Sequence, residues 1–237
     1  MKNDVVYFCK ESATNEELIY SIRSVVANFP YRKIWVYGRC PANTNFDEMG
    51  TYVRLAQVGT TKWDKVKNMF RDACLNDDIT ENFWLFNDDF FVMNKMDNPP
   101  IAYRGSLPKH IVDMEIRFNN KPTAYTEQLR KAYVALKNNG FSYNSYELHI
   151  PFKFNRAKLL QTMGAFQDIH CTRTLYGNMF NIGGKHMSDV KVYGKKFEGV
   201  DLTTDYLSTD DVSWSSNTAG VADLIRSKFD KKSPYEK

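Results

Sequence analysis

Asn87, Asp88 and Asp89 sit inside an apolar run, with Phe83-Trp84-Leu85-Phe86 leading in and Phe90-Phe91-Val92-Met93 following. A buried carboxylate without a partner is costly, so an apolar run that carries two acids must compensate them. A divalent cation is one answer, because Mg²⁺ takes one or two carboxylates and completes its shell with water and substrate phosphates. A turn whose acids face water is the other. On an unbroken strand, adjacent side chains point to opposite faces, so a two-carboxylate clamp here requires a turn. The reading expects Asp89 as the more direct metal ligand. Asp88 would touch the metal, a metal-bound water or the reacting substrate, and Asn87 would touch the substrate.

Glu147 and His149 are a second pair. They lie two apart in Tyr146–Ile150, which reads as a strand halted by Pro151, so they would share a face. Either could act as general base toward an acceptor hydroxyl, and His149 could join the metal. A histidine hydrogen-bonded at a strand end is the plain alternative. Trp63 could stack on a base or sugar ring, or pack in the core. Gly183-Gly184-Lys185-His186 lacks the spacing of a phosphate loop and reads as a turn. Asp210-Asp211 reads as a helix cap or an acceptor-side acid.

These residues need a scaffold. Val5–Cys9 reads as a buried strand. Thr14 and Glu17 form a capping box before a helix with apolar residues at Leu18, Ile19, Ile22, Val25, Val26 and Phe29, stopped by Pro30. Ile34–Tyr37 is a second strand and Tyr52–Val58 a third. Asp64–Leu75 is an amphipathic helix with a stripe of Val66, Met69, Phe70, Ala73 and Cys74. Phe83–Asn87 is the next strand. This order predicts an α/β fold with a mixed, mainly parallel central sheet flanked by helices. Ligands bind beyond the carboxyl ends of such strands, where the Asn87-Asp88-Asp89 triplet lies. After Pro99-Pro100 the pattern weakens. Thr126–Asn138 reads as a helix, Asn155 caps another that runs to Met163 with Gly164 as its stop, and residues 171–215 read as irregular. Thr218–Phe229 reads as a last helix before a frayed or surface-lying tail.

The chain has 237 residues with 43% hydrophobic and 25% charged, enough for a sizeable core. A formal net charge of +4 does not mark a nucleic-acid binder, though it permits attraction to phosphate-bearing ligands. Cys9, Cys40, Cys74 and Cys171 form no CxxC pair, so a zinc site or disulfide framework is not expected and a reducing cytoplasm fits. No apolar run reaches membrane-spanning length, and the N-terminus reads as lacking a signal peptide. The aromatic surplus fits either a thick core or a sugar or base site.

Three segments occur in one order: Glu17–Val25, Arg32–Gly38, and Asn87-Asp88-Asp89-Phe90-Phe91. That order resembles the Stealth family of capsule-polymer sugar-phosphate transferases, and more broadly the GT-A glycosyltransferases, as short members of bacterial or phage type. His149-Ile150-Pro151-Phe152 resembles the histidine–proline segment of Stealth proteins, and Arg173 sits where a later arginine is expected. Cys9-Lys10-Glu11-Ser12 replaces an acidic motif, which weakens phosphotransfer more than nucleotide-sugar binding. The resemblance implies one GT-A-like (Rossmann-like) domain, residues 1–100 binding the nucleotide sugar and 101–237 the acceptor. It implies Mn²⁺ or Mg²⁺, a UDP-sugar donor, and a hydroxyl acceptor on a glycan or a modified DNA base. By the same resemblance Lys65, Asn68 and Arg71 contact the donor; periodicity alone makes them a solvated helix face. Arg173 would hold a phosphate through its planar fork, or form a surface ion pair. Hexose-1-phosphate transfer is the close alternative. A non-catalytic carbohydrate- or nucleic-acid-binding protein is the alternative of a different class.

Overall fold

The computed structural model describes residues 2–9, 15–38, 41–54, 61–194, 203–215 and 220–237. Its elements in chain order are β1 (Asn3–Phe8), α1 (Glu16–Asn28), β2 (Tyr31–Tyr37), β3 (Tyr52–Val53), α2 (Lys62–Leu75), β4 (Asn82–Phe86), β5 (Phe90–Val92) and β6 (Ala102–Tyr103). They continue with α3 (Leu107–Arg117), α4 (Ala124–Asn138), β7 (Phe152–Asn155), α5 (Arg156–Ala165), α6 (Thr172–Met179), β8 (Lys185–His186), β9 (Tyr206–Ser208), α7 (Asp211–Ser215) and α8 (Val221–Lys228). The chain divides into two compact units. Unit 1 holds Met1–Pro99, His149–Phe154 and Val190–Lys237; unit 2 holds Pro100–Leu148 and Asn155–Asp189.

Unit 1 carries the expected α/β sheet, in the order β3-β2-β1-β4-β7. The β1–β2, β1–β4 and β2–β3 ladders are all parallel. Strand β1 is central, and Val5, Val6 and Tyr7 are completely buried, as a continuous apolar run requires. The aromatics build the core on both faces of this sheet. On one, Phe70 of α2 meets Phe8 edge-on at 4.9 Å and Phe154 at 5.4 Å. On the other, Phe29 at the end of α1 meets Phe86 at 5.0 Å and Trp84 at 5.3 Å. Such pairs add to what area burial alone supplies.

A second, antiparallel ribbon of β5 and β9 completes the unit, with Phe90 opposite Ser208 and Val92 opposite Tyr206. Phe91 stacks on Trp214 at 5.6 Å and joins Leu207, Val221, Ile225 and Phe229 in one cluster. Helix α1 is laced to β5 by side chains. Ser21 Oγ donates to Phe90 O, Val92 N donates to Ser24 Oγ at 3.0 Å, and Asn28 Nδ2 donates to Val92 O at 2.7 Å. Positions 21, 24 and 28 are three and four apart, so they share one stripe of the helix.

Several expectations are corrected. The N-cap of α1 is Asn15, whose side chain accepts from Leu18 N, in place of the predicted Thr14, which lies outside the described residues. Helix α2 starts two residues before Asp64, at Lys62, because Thr61 and Asp64 form a reciprocal capping box. The third strand is only Tyr52–Val53, and residues 55–58 of the predicted strand lie outside the described ones. The tail is anchored rather than frayed. Tyr235 stacks on Phe46 at 4.8 Å, its carbonyl accepts from Asn45 N, and Glu236 forms a two-bond pair with Arg23 at 2.8 and 2.6 Å.

Unit 2 is mainly helical. Leu107, Ile111 and Met114 of α3 pack with Leu129, Ala132 and Leu136 of α4 and Leu175 of α6. Residues 171–215 are not irregular throughout, since they contain α6, β8, β9 and α7. The Asn155 cap is confirmed: its side chain accepts from Lys158 N, and α5 follows as far as Ala165, with Gly164 inside it. Tyr146–Ile150 is not a strand. Tyr146, Leu148 and Ile150 are buried in alternation, which mimics a strand, but the backbone there is irregular and the strand begins after Pro151.

Candidate functional site

In unit 1, Asp88 and Asp89 form the turn between β4 and β5, closed by Phe90 N donating to Asn87 O at 3.2 Å. The turn stands at the carboxyl end of β4, beside the central strand. Both acids and Asn87 are half-buried. In a turn the strand pleat no longer governs the two side chains, and each is held by a different element. Asn15 Nδ2 donates to Asp88 Oδ2 at 2.7 Å. Lys191 Nζ and Ser208 Oγ donate to Asp89 Oδ2 at 2.7 and 3.1 Å. The compensation that these acids need is therefore supplied in part by the protein itself.

Further acids gather around the turn. Glu17, in the first turn of α1, accepts from Thr209 Oγ1 at 2.6 Å. Burial pushes its carboxyl up to about 7, against the pull of the Thr209 hydroxyl, and the charges of Asp88, Asp89 and Asp211 add to the rise. Asp210 accepts from Ser213 N at 2.7 Å and from Gly194 N at 3.1 Å. Burial alone would raise Asp210, but these donors, with the Lys191 charge, hold it below the ordinary value. Its work is to cap α7, one of the two roles expected of it. For Lys191 burial acts to lower the ammonium, and the Asp89 carboxylate outweighs it and holds the lysine charged.

His149 belongs to the same unit, its ring edge-on to Phe90 at 6.3 Å and to Tyr193 at 6.2 Å. Glu147 belongs to unit 2, where its Oε1 accepts from Thr174 N at 3.3 Å. The expectation that the two share a strand face is corrected, because no strand runs through them. Arg173, in the first turn of α6, donates to Leu148 O at 2.7 Å. Lys65 and Asn68 are half-buried on α2 and Arg71 is exposed, all three off the buried stripe of Met69, Phe70, Ala73 and Cys74. Neither Lys65 nor Arg71 forms an ion pair with the turn acids. Trp63 is half-buried under Lys62, whose Nζ lies 4.5 Å from the ring centroid. The turn expected over Gly183-Gly184-Lys185-His186 is corrected: Gly183 and Gly184, with φ of 67° and 118°, lead into Lys185–His186, which is β8.

Four partners of the acids were not singled out in the sequence: Asn15, Lys191, Ser208 and Thr209. The segment that carries Lys191 runs beside β9, with Val192 N donating to Ser208 O at 2.8 Å. Lys191 lies 102 positions from Asp89 along the chain, and no local pattern announces it.

Among the described residues, no group of three or more His, Cys, Asp and Glu could hold a metal ion by itself. Two hard carboxylates in a turn do suit Mg²⁺ or Mn²⁺ when phosphate oxygens and water complete the shell. The excess of negative charge that helps lift Glu17 favours a cation at the same place. The residues thus fit a cation that arrives with a phosphate-bearing ligand.

No protein-family model matches the chain, and no curated protein matches it in sequence. Solved structures do match in fold. The galactosyltransferase LgtC, in complex with donor and acceptor sugar analogues, aligns with a TM-score of 0.50 at 10% identity over 99% of this chain and 98% of that one. The bifunctional glycosyltransferase WbbM, in its apo form, aligns with a TM-score of 0.56 at 8% identity over 98% of this chain. This chain spans 50% of the WbbM chain, and 44% of the glycosyltransferase GlyE of Streptococcus pneumoniae TIGR4, with which the TM-score is 0.37 at 9% identity. The α/β fold is that of GT-A glycosyltransferases; nothing in the matches points to the Stealth family. Among the described residues, no helix is long and apolar enough to cross a membrane.

Proposed function

We propose that the chain is a glycosyltransferase that moves a sugar from a nucleotide-diphosphate donor, UDP-linked, to a hydroxyl acceptor. The observation that carries this reading is the pair of half-buried acids in the turn after β4, at the carboxyl end of a mainly parallel GT-A-like sheet. Asp88 and Asp89 would hold Mn²⁺ or Mg²⁺, which neutralises charge on the departing diphosphate. Asn87 would touch the donor. His149, beside Phe90 in the same unit, is the base we assign to the acceptor hydroxyl. Glu147, whose Oε1 accepts from Thr174 N at 3.3 Å, is given no step in this scheme.

The test is donor hydrolysis, measured across a panel of UDP-sugars with and without Mn²⁺. Asp89→Ala should cut turnover about a hundredfold, the scale of losing one electrostatic stabiliser. Metal-independent turnover that Asp89→Ala leaves intact would overturn the reading. The product separates two chemistries at this site: UDP release marks glycosyl transfer, and UMP release marks Stealth-type transfer of a hexose 1-phosphate.

A further inference from the structure

Lys191 and a divalent cation would compete for the negative charge of one carboxylate. Nζ lies 2.7 Å from Asp89 Oδ2, Ser208 Oγ lies 3.1 Å from it, and the lysine and aspartate side chains are each only 14% exposed. The lysine backbone is fixed, because Lys191 bridges Ser208 alongside β9 and Val192 N donates to Ser208 O. Its four-carbon stem is not fixed, and an ammonium on such a stem can swing while its attachment stays in place. A dication bound to Asp89 would sit within a few ångströms of Nζ, in a part-buried setting where like charges repel strongly. The two therefore oppose each other at this carboxylate.

We propose that Lys191 is the exchangeable counter-ion of Asp89. It neutralises the carboxylate until a divalent cation arrives, is expelled by that cation, and then holds the diphosphate that the cation brings. The exchange at Asp89 stands on the ion pair alone; the transfer to the diphosphate rests on the donor reading given above. The arrangement also explains how a half-buried acid is kept in the folded chain before any metal is present: without Lys191 its charge would be left with the neutral Ser208 hydroxyl for compensation.

The test uses the full chain and Mn²⁺ alone, followed by the resonance signal of free Mn²⁺. Lys191→Met should bind Mn²⁺ about tenfold more tightly than wild type, the scale of removing one part-buried competing charge. Lys191→Arg, which keeps the charge, should bind as wild type does. If Lys191→Met does not fold, Lys191→Gln takes its place in the same titration. Equal Mn²⁺ affinity in wild type and the neutral variant, or no Mn²⁺ binding by either, would overturn the exchange. With Mn²⁺ saturating, UDP should bind the neutral variant about tenfold more weakly, by loss of one charge-assisted contact. Tighter Mn²⁺ binding by the variant, with no UDP binding even to wild type, would uphold the exchange and sink the donor reading instead.

Discussion

Glu17→Gln should make the protein more stable, and only above acidic pH. The glutamine keeps the shape of the side chain, and its carbonyl can still accept from Thr209 Oγ1, 2.6 Å away in the native pair. What it removes is a charge that the site disfavours. Burial, with the charges of Asp88, Asp89 and Asp211 adding to it, lifts Glu17 from 4.5 to about 7. The folded protein therefore keeps this proton up to about pH 7, while the unfolded chain releases it near pH 4.5. Between those values the folded state binds more protons, so its stability falls as pH rises through the window. A gap of about two and a half pH units, at about 1.4 kcal/mol each, sets a ceiling of about 3.5 kcal/mol. The side chain is only half-buried, and solvent screening brings the expected figure to about 2 kcal/mol. Urea unfolding at half-unit steps from pH 4.5 to 8 measures it. The two proteins should be nearly equal at the acid end, and the variant should pull ahead by that amount at pH 8. Curves that stay parallel across the whole range would refute the argument, because no charge would then be confined at Glu17.

Two further substitutions test the scaffold. Gly38→Ala places a methyl carbon 2.2 Å from Cys9 O at a φ of +108°, and Cys9 N is itself bonded to Tyr37 O at 2.8 Å; urea unfolding should show a loss of at least about 2 kcal/mol, and a loss below 0.5 would mean that the β1–β2 ends yield easily. Tyr235→Ala removes the ring stacked on Phe46 and should cost about 3 kcal/mol. An unchanged melting temperature would show that the C-terminal segment adds nothing to unit 1.

The first hundred residues were legible because their periods are clean. β1 and β4 are unbroken apolar runs, and α1 and α2 carry apolar stripes at helical spacing with capping residues at their starts. The turn acids were legible by contrast with their surroundings. The region after Pro100 misled because burial there does not follow backbone type. Tyr146, Leu148 and Ile150 alternate as a strand would, yet Tyr146 is buried over Gly177 of α6, where a methyl group would lie 2.4 Å from its ring. Lys191 was invisible for a different reason. Its meaning depends on β9 pairing with β5, and nothing within ten residues of it encodes that contact.

The lacing of α1 to β5 makes the acid turn behave as part of a rod. Asn15, Ser21, Ser24 and Asn28 grip the turn and the strand at four successive points, from the Asp88 carboxylate to the Val92 carbonyl. A one-residue slip of this helix would rotate each of these side chains by about 100° and break their bonds to the turn and strand together. Asp88 is thus carried on a short turn, yet is tied through Asn15 to the start of a thirteen-residue helix. Displacing the turn against α1 would mean breaking the Asn15–Asp88 contact and the α1–β5 bonds together.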